Sequence, residues 1–63
     1  MKIKFKIEWQ DGKTQEAIKD VPMKFLTDND GQIFPQEDLQ DILVCWITDE
    51  FNNYPKVMTF QMT

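Results

Sequence analysis

The chain has 63 residues, a net charge of −4 and 41% hydrophobic side chains, and a chain this short buries only about 60% of the surface its unfolded form exposes, which bounds it to one domain over residues 1–63 with no room for a deep substrate pocket. Arg, His and Ser are absent, which removes the usual bidentate phosphate clamp, neutral-pH proton shuttle and hydroxyl nucleophile, while the net charge repels nucleic acid. One Cys can make neither an intrachain disulfide nor a cysteine-rich metal site, which points to a reducing, cytoplasmic setting.

Lys2 to Gln10 alternates strictly, with Ile3, Phe5, Ile7 and Trp9 on one face and Lys2, Lys4, Lys6 and Glu8 on the other, as a strand covered on one side requires. Asp11-Gly12 supplies residues that tolerate positive φ, so a hairpin follows. A two-residue loop would set Lys4 opposite Lys19 and place Glu16 and Asp20 on the core face. One extra loop residue sets Lys4 opposite Asp20 and turns Ala17 and Val21 inward. The longer loop, with a bulge, is preferred because it avoids like charges across the strands and buried unpaired carboxylates. A short helix capped by Thr14, with Ala17, Ile18 and Val21 on its apolar side, is the alternative.

Pro22 bars a central ladder position, which predicts a second, smaller hairpin of Met23 to Thr27 and Gln32 to Phe34 around Asp28-Asn29-Asp30-Gly31. The segment Pro35 to Phe51 is the most strongly periodic in the chain. Leu39, Ile42, Leu43, Trp46 and Ile47 recur at the three-and-four spacing of one helix face, predicting an amphipathic helix at about 36–51. Pro35 suits the first helical position and Glu37 and Asp38 complement the positive end of the helix dipole, while Asn52, Asn53 and Pro55 mark the other end. Lys56 to Met62 reads as a closing strand with Met58, Phe60 and Met62 on one face. The fold expected is α+β: a single small domain in which an antiparallel sheet of two hairpins plus a C-terminal strand packs against one helix. No apolar run approaches the roughly 18 residues of a membrane span, so no membrane partner is expected.

Three groups of residues carry candidate chemistry. Leu26 to Glu37 resembles the twelve-residue calcium loop of an EF-hand, with Gly31 at the sixth position and Asp28, Asp30 and Glu37 at the third, fifth and twelfth, although Leu26 stands where an Asp should begin the chelate. A weak Ca²⁺ site on Asp28, Asp30 and Glu37 therefore stands beside the plainer reading of a turn chosen for its Asp, Asn and Gly. Cys45 lies on the helix flank with no His or cation near it in sequence to lower its pKa, so it reads as a boundary residue.

The third group is the helix surface. The residues before Thr27 hold six Lys against four acids, and Thr27 onward holds one Lys against seven acids, which divides the charge as +2 and −6. Glu37, Asp38, Asp41, Asp49 and Glu50 give the helix an acidic face suited to a basic surface on a protein partner. Val44 and Phe51 fall outside the apolar arc, and their exposure would mark a contact with a partner or a second copy unless Asn52 to Pro55, with Tyr54, folds over them. The row Lys2, Lys4 and Lys6 reads as a solubilising outer face.

In size, acidic composition and hairpin-rich α+β layout the chain resembles small bacteriophage and mobile-element inhibitor proteins, including anti-CRISPR proteins. That resemblance implies a non-enzymatic inhibitor that occupies a surface and assigns no residues and no cofactor; independently of it, the acidic helix face suits the basic nucleic-acid channel of a nuclease, such as a CRISPR nuclease, because carboxylates spaced along a helix imitate phosphates. Alternatives are a homo-oligomeric assembly module, using Val44 and Phe51 or an open sheet edge, and the weak Ca²⁺-binding turn; the oligomeric state expected is monomer or homodimer.

Overall fold

Strand β1 (Lys2–Trp9) occupies the centre of a three-stranded antiparallel sheet of order β2-β1-β3, flanked by β2 (Thr14–Asp20) and β3 (Pro55–Met62). Helix α1 (Gln36–Phe51) lies across one face, so the molecule is the small α+β unit that the alternation of β1 and the periodicity of α1 predict. The computed structural model describes residues 1–63.

The core is the meeting of those two patterns. Ile3, Phe5, Ile7 and Trp9 of β1 are buried against Leu39, Leu43 and Ile47 of α1, with Met58 from β3 and with Val21 and Leu26 from the connection after β2. Phe5 stacks on Trp46 with ring centroids 6.2 Å apart. No buried side-chain nitrogen or oxygen lacks a hydrogen-bond partner, so nothing polar opposes this burial.

The first hairpin has a three-residue loop, Gln10-Asp11-Gly12. The Gly12 N–H donates to the Trp9 carbonyl at 3.0 Å, the Trp9 N–H donates to the Lys13 carbonyl at 2.8 Å, and Gly12 sits at φ 86°. Such a loop needs its last residue in the left-handed region, and only Gly12 takes that conformation without strain. The register therefore sets Lys4 opposite Ile18, correcting the expected Lys4 to Asp20 pairing by two residues; that pairing would have placed Lys13 at the positive φ. The electrostatic argument survives the shift, because Lys2 faces Asp20 and Lys6 faces Glu16. Ala17 and Val21 do turn inward, and residues from Thr14 form strand rather than helix.

The second hairpin is reduced to a single bridge between Thr27 and Ile33. Pro22 starts a 3₁₀ turn at Met23–Phe25 instead of a strand: the Phe25 N–H donates to the Pro22 carbonyl at 3.1 Å and the Leu26 N–H to the Met23 carbonyl at 2.9 Å. Proline presets the φ that this turn requires and lacks the N–H that a strand would use. The turn swings Leu26 fully into the core.

Pro35 stands one place before the helix rather than at its first position. Its ψ of 155° is extended, and its carbonyl accepts the Leu39 N–H at 2.9 Å. The chain arrives there already extended, because the Phe34 N–H is tied to the Leu26 carbonyl at 3.0 Å. At the far end Asn52 takes the left-handed conformation at φ 52°, and the Asn53 N–H donates to the Thr48 carbonyl at 3.2 Å, closing the helix as its asparagines predict.

Candidate functional site

Because α1 is wider in apolar character than the sheet beneath it, its shoulders have different fates. Along one shoulder Ile42 and Trp46 are only half-buried, and they floor an open groove of about 490 Å³ whose opposite wall is Phe25 from the 3₁₀ turn. Phe25 is 41% exposed, so both walls offer apolar surface to a visitor. The rim is acidic: Asp41, Asp49 and Glu50 border the groove, with Cys45 among its lining residues. Residues four apart on a helix are neighbours on one side, which is why Asp41, Cys45 and Asp49 run in a row parallel to the groove.

Two lysines flank the groove: the Lys24 amino group lies 5.2 Å from the centroid of the Phe25 ring, and Lys19 closes one end. The Lys19 amino group lies 4.0 Å from the Glu50 carboxylate and 5.2 Å from the centroid of the Phe51 ring. Asp41 and Asp49 have no such partner within ion-pair distance, so their charge faces outward.

The residues singled out in the sequence divide accordingly. Asp41, Asp49 and Glu50 come together on the groove; Glu37 and Asp38 are exposed in the first turn of α1 and lie outside its lining. Val44 and Phe51 sit on the other shoulder, half-buried and packed against the core. Phe51 meets the edge of Trp9 with centroids 5.5 Å apart. Tyr54 is 59% exposed, so Trp9 and Lys19, not the loop after the helix, supply the cover for Phe51. Phe25 is the residue sequence reasoning missed. Read as part of a short strand, it carried no signal of standing beside a helix distant in sequence.

The loop residues of the calcium alternative are arranged as a turn. Asp28 Oδ1 accepts the N–H groups of Asp30 and Gln32, each at 2.9 Å, so the side chain is committed to its own turn. Asp28, Asp30 and Glu37 are not gathered, and no group of three or more His, Cys, Asp or Glu side chains is placed to hold a metal ion. The lysine row is partly neutralised, with Lys4 and Lys6 at 4.0 and 3.8 Å from Glu16. Asp20 has the one clearly displaced acidity: a hydrogen bond from the Met1 amino group, at 2.9 Å, and the charge of that group hold its carboxyl below the usual carboxylate range.

No helix is long and apolar enough to cross a membrane. Comparison with known proteins finds no matching family model, no similar curated protein and no similar solved structure.

Proposed function

We propose that the chain is a non-enzymatic interaction protein that docks on a basic, nucleic-acid-binding surface of a protein partner and inhibits it by occupying that surface. The observation that carries the reading is the groove along α1, in which apolar walls of Phe25, Ile42 and Trp46 lie beside the outward-facing carboxylates of Asp41 and Asp49. A segment with one large apolar side chain flanked by Lys or Arg matches it: the apolar group fills the groove and the cations meet the rim. Carboxylates one helical turn and more apart present the repeated negative charge that a nucleic-acid channel receives, and the net charge of −4 speeds encounter with a basic partner. A nuclease, including a CRISPR nuclease, is a partner of this chemistry. The free thiol of Cys45 suits a reducing, cytoplasmic setting.

Purified nucleases and other nucleic-acid-binding proteins are titrated against the wild type and against an Asp41→Lys, Asp49→Lys double variant, at ionic strengths of about 50 and 300 mM. The expected outcome is a partner whose nucleic-acid affinity falls on binding, whose complex weakens at least about tenfold in the higher salt and in the double variant, and whose binding shields Cys45 from a maleimide. Binding indifferent to both salt and charge reversal, with Cys45 still open to reagent, overturns the proposal.

A further inference from the structure

The two edges of the sheet are not equivalent. The Thr63 N–H donates to the Lys2 carbonyl at 3.2 Å, which fixes the alternation of β3: the odd-numbered residues turn their main-chain groups toward β1 and Met58, Phe60 and Met62 turn theirs to the open edge. Gln40 confirms this geometry from the helix side, its Nε2 donating to the Met58 carbonyl at 2.8 Å. The N–H and C=O of Phe60 and Met62 have no such cover.

Natural sheets guard an open edge with charge, proline or a bulge. Strand β2 follows that rule along its length with Glu16, Lys19 and Asp20, whereas β3 gathers its proline, its lysine and its register break at its first end, Pro55 to Val57, and leaves Met58 to Met62 (MTFQM) with none of them. Beside this edge an apolar cleft of about 380 Å³ is lined by Met1, Ile33, Phe34, Leu39, Phe60 and Met62, with Ile33 50% and Met62 37% exposed. An added strand would satisfy the free main-chain groups and cover the cleft.

We infer that the occupant is a second copy of the chain, its β3 antiparallel to this one across a two-fold axis beside Gln61, joining the two sheets of three strands into one. An uncharged segment meets its own copy without repulsion, and a two-fold contact requires such self-complementarity. With Gln61 opposite Gln61 of the other copy, Phe60 of each chain pairs with Met62 of the other. Both pairs exchange N–H and C=O bonds, and Met58 is left to Gln40. The apolar clefts then join on the helix side, and the two Gln61 amides face each other on the outer side, where they can hydrogen-bond. This contact uses neither wall of the α1 groove and stands apart from the inhibitor reading.

Gln61 lies across from Lys4 in the same chain. Gln61→Glu therefore improves the monomer's cross-strand pairing while setting two carboxylates against each other across the axis. By sedimentation at micromolar to sub-millimolar concentration, the wild type is expected at the mass of two chains. Gln61→Glu and Gln61→Lys should each associate about fivefold or more weakly, and their equimolar mixture should recover the two-chain mass. Unchanged circular dichroism shows that both variants fold, and the Asp41→Lys, Asp49→Lys variant stays two-chain. A wild type at single-chain mass throughout, a Gln61→Glu variant that associates as well as the wild type, or a mixture no better than either variant alone overturns the inference.

Discussion

Leu43→Ala tests whether α1 is held by its apolar stripe. Leu43 is fully buried between the helix and β1, with Leu39 and Ile47 one turn away on either side. Removing a buried Leu side chain to Ala costs about 2–5 kcal/mol, the upper part of that range applying where neighbours cannot close the gap. A chain of 63 residues has a total stability of roughly 3–9 kcal/mol at about 0.05–0.15 kcal/mol per residue, so this one change removes about a fifth of it or more. With a urea slope of about 1 kcal/mol/M for so small a domain, the unfolding midpoint falls by about 2 M or more. The melting temperature drops by roughly 7 °C for each kcal/mol. The assay is urea titration followed by the emission of Trp9 and Trp46, one from each layer of the core. Cys45→Ala, two residues away and exposed, is the matched control and should shift stability by no more than about 0.5 kcal/mol. Coincident midpoints for the two variants would refute the packing of the helix on the sheet.

Gly12→Ala should destabilise by about 1 kcal/mol through the backbone alone, since φ is 86° there and the space an added Cβ would fill is empty; chemical denaturation measures it, and a neutral result would contradict the loop conformation. Asp20 has a folded-state pKa displaced downward, so its contribution is present above its unfolded pKa and is lost as pH falls through the lower folded value. Thermal melts from neutral to strongly acid pH should show this loss, and acetylation of the Met1 amino group, which donates the bond, should remove that part of the pH dependence. Calcium at millimolar concentration should leave the melting temperature unchanged, while Asp28→Ala lowers stability by about 1–2 kcal/mol through two lost turn hydrogen bonds.

The parts of the fold legible in the sequence are those where one face meets solvent and the other does not. Strict alternation announces β1, and helical spacing announces α1 with its asparagine terminus, because burial on one side is what creates a period. The hairpin register depended on one detail that periodicity does not carry, the loop position that requires positive φ, and Gly12 decides it. Met23–Phe25 was illegible as a turn because its apolar-Lys-apolar alternation imitates a strand and three residues are too few to show another period; only Pro22, read as a starter rather than a breaker, points to it. The site was legible in its charges and not in its shape. Asp41, Asp49 and Glu50 follow from helix spacing, but Phe25 reaches the groove through the path of a connection, and Ile42 and Trp46, assigned to the buried stripe, keep an open side because the sheet beneath is narrow.

The placement of the first strand between the second and the last also governs the order in which the structure can assemble. Residues near Gly12 meet their partners across a handful of positions, and α1 closes on itself, but Ile3 must find Met62 and Phe5 must find Phe60. Loop-closure entropy rises as about 1.5 RT ln n, so the hairpin and helix form early and β3 docks at the end of the climb. Substitutions in β3 should therefore mainly accelerate unfolding, whereas substitutions around the Gln10-Asp11-Gly12 loop should retard refolding. For a chain whose proposed self-contact lies on β3, the strand that arrives last is also the one a neighbouring copy would meet, and association should slow unfolding more than it speeds folding.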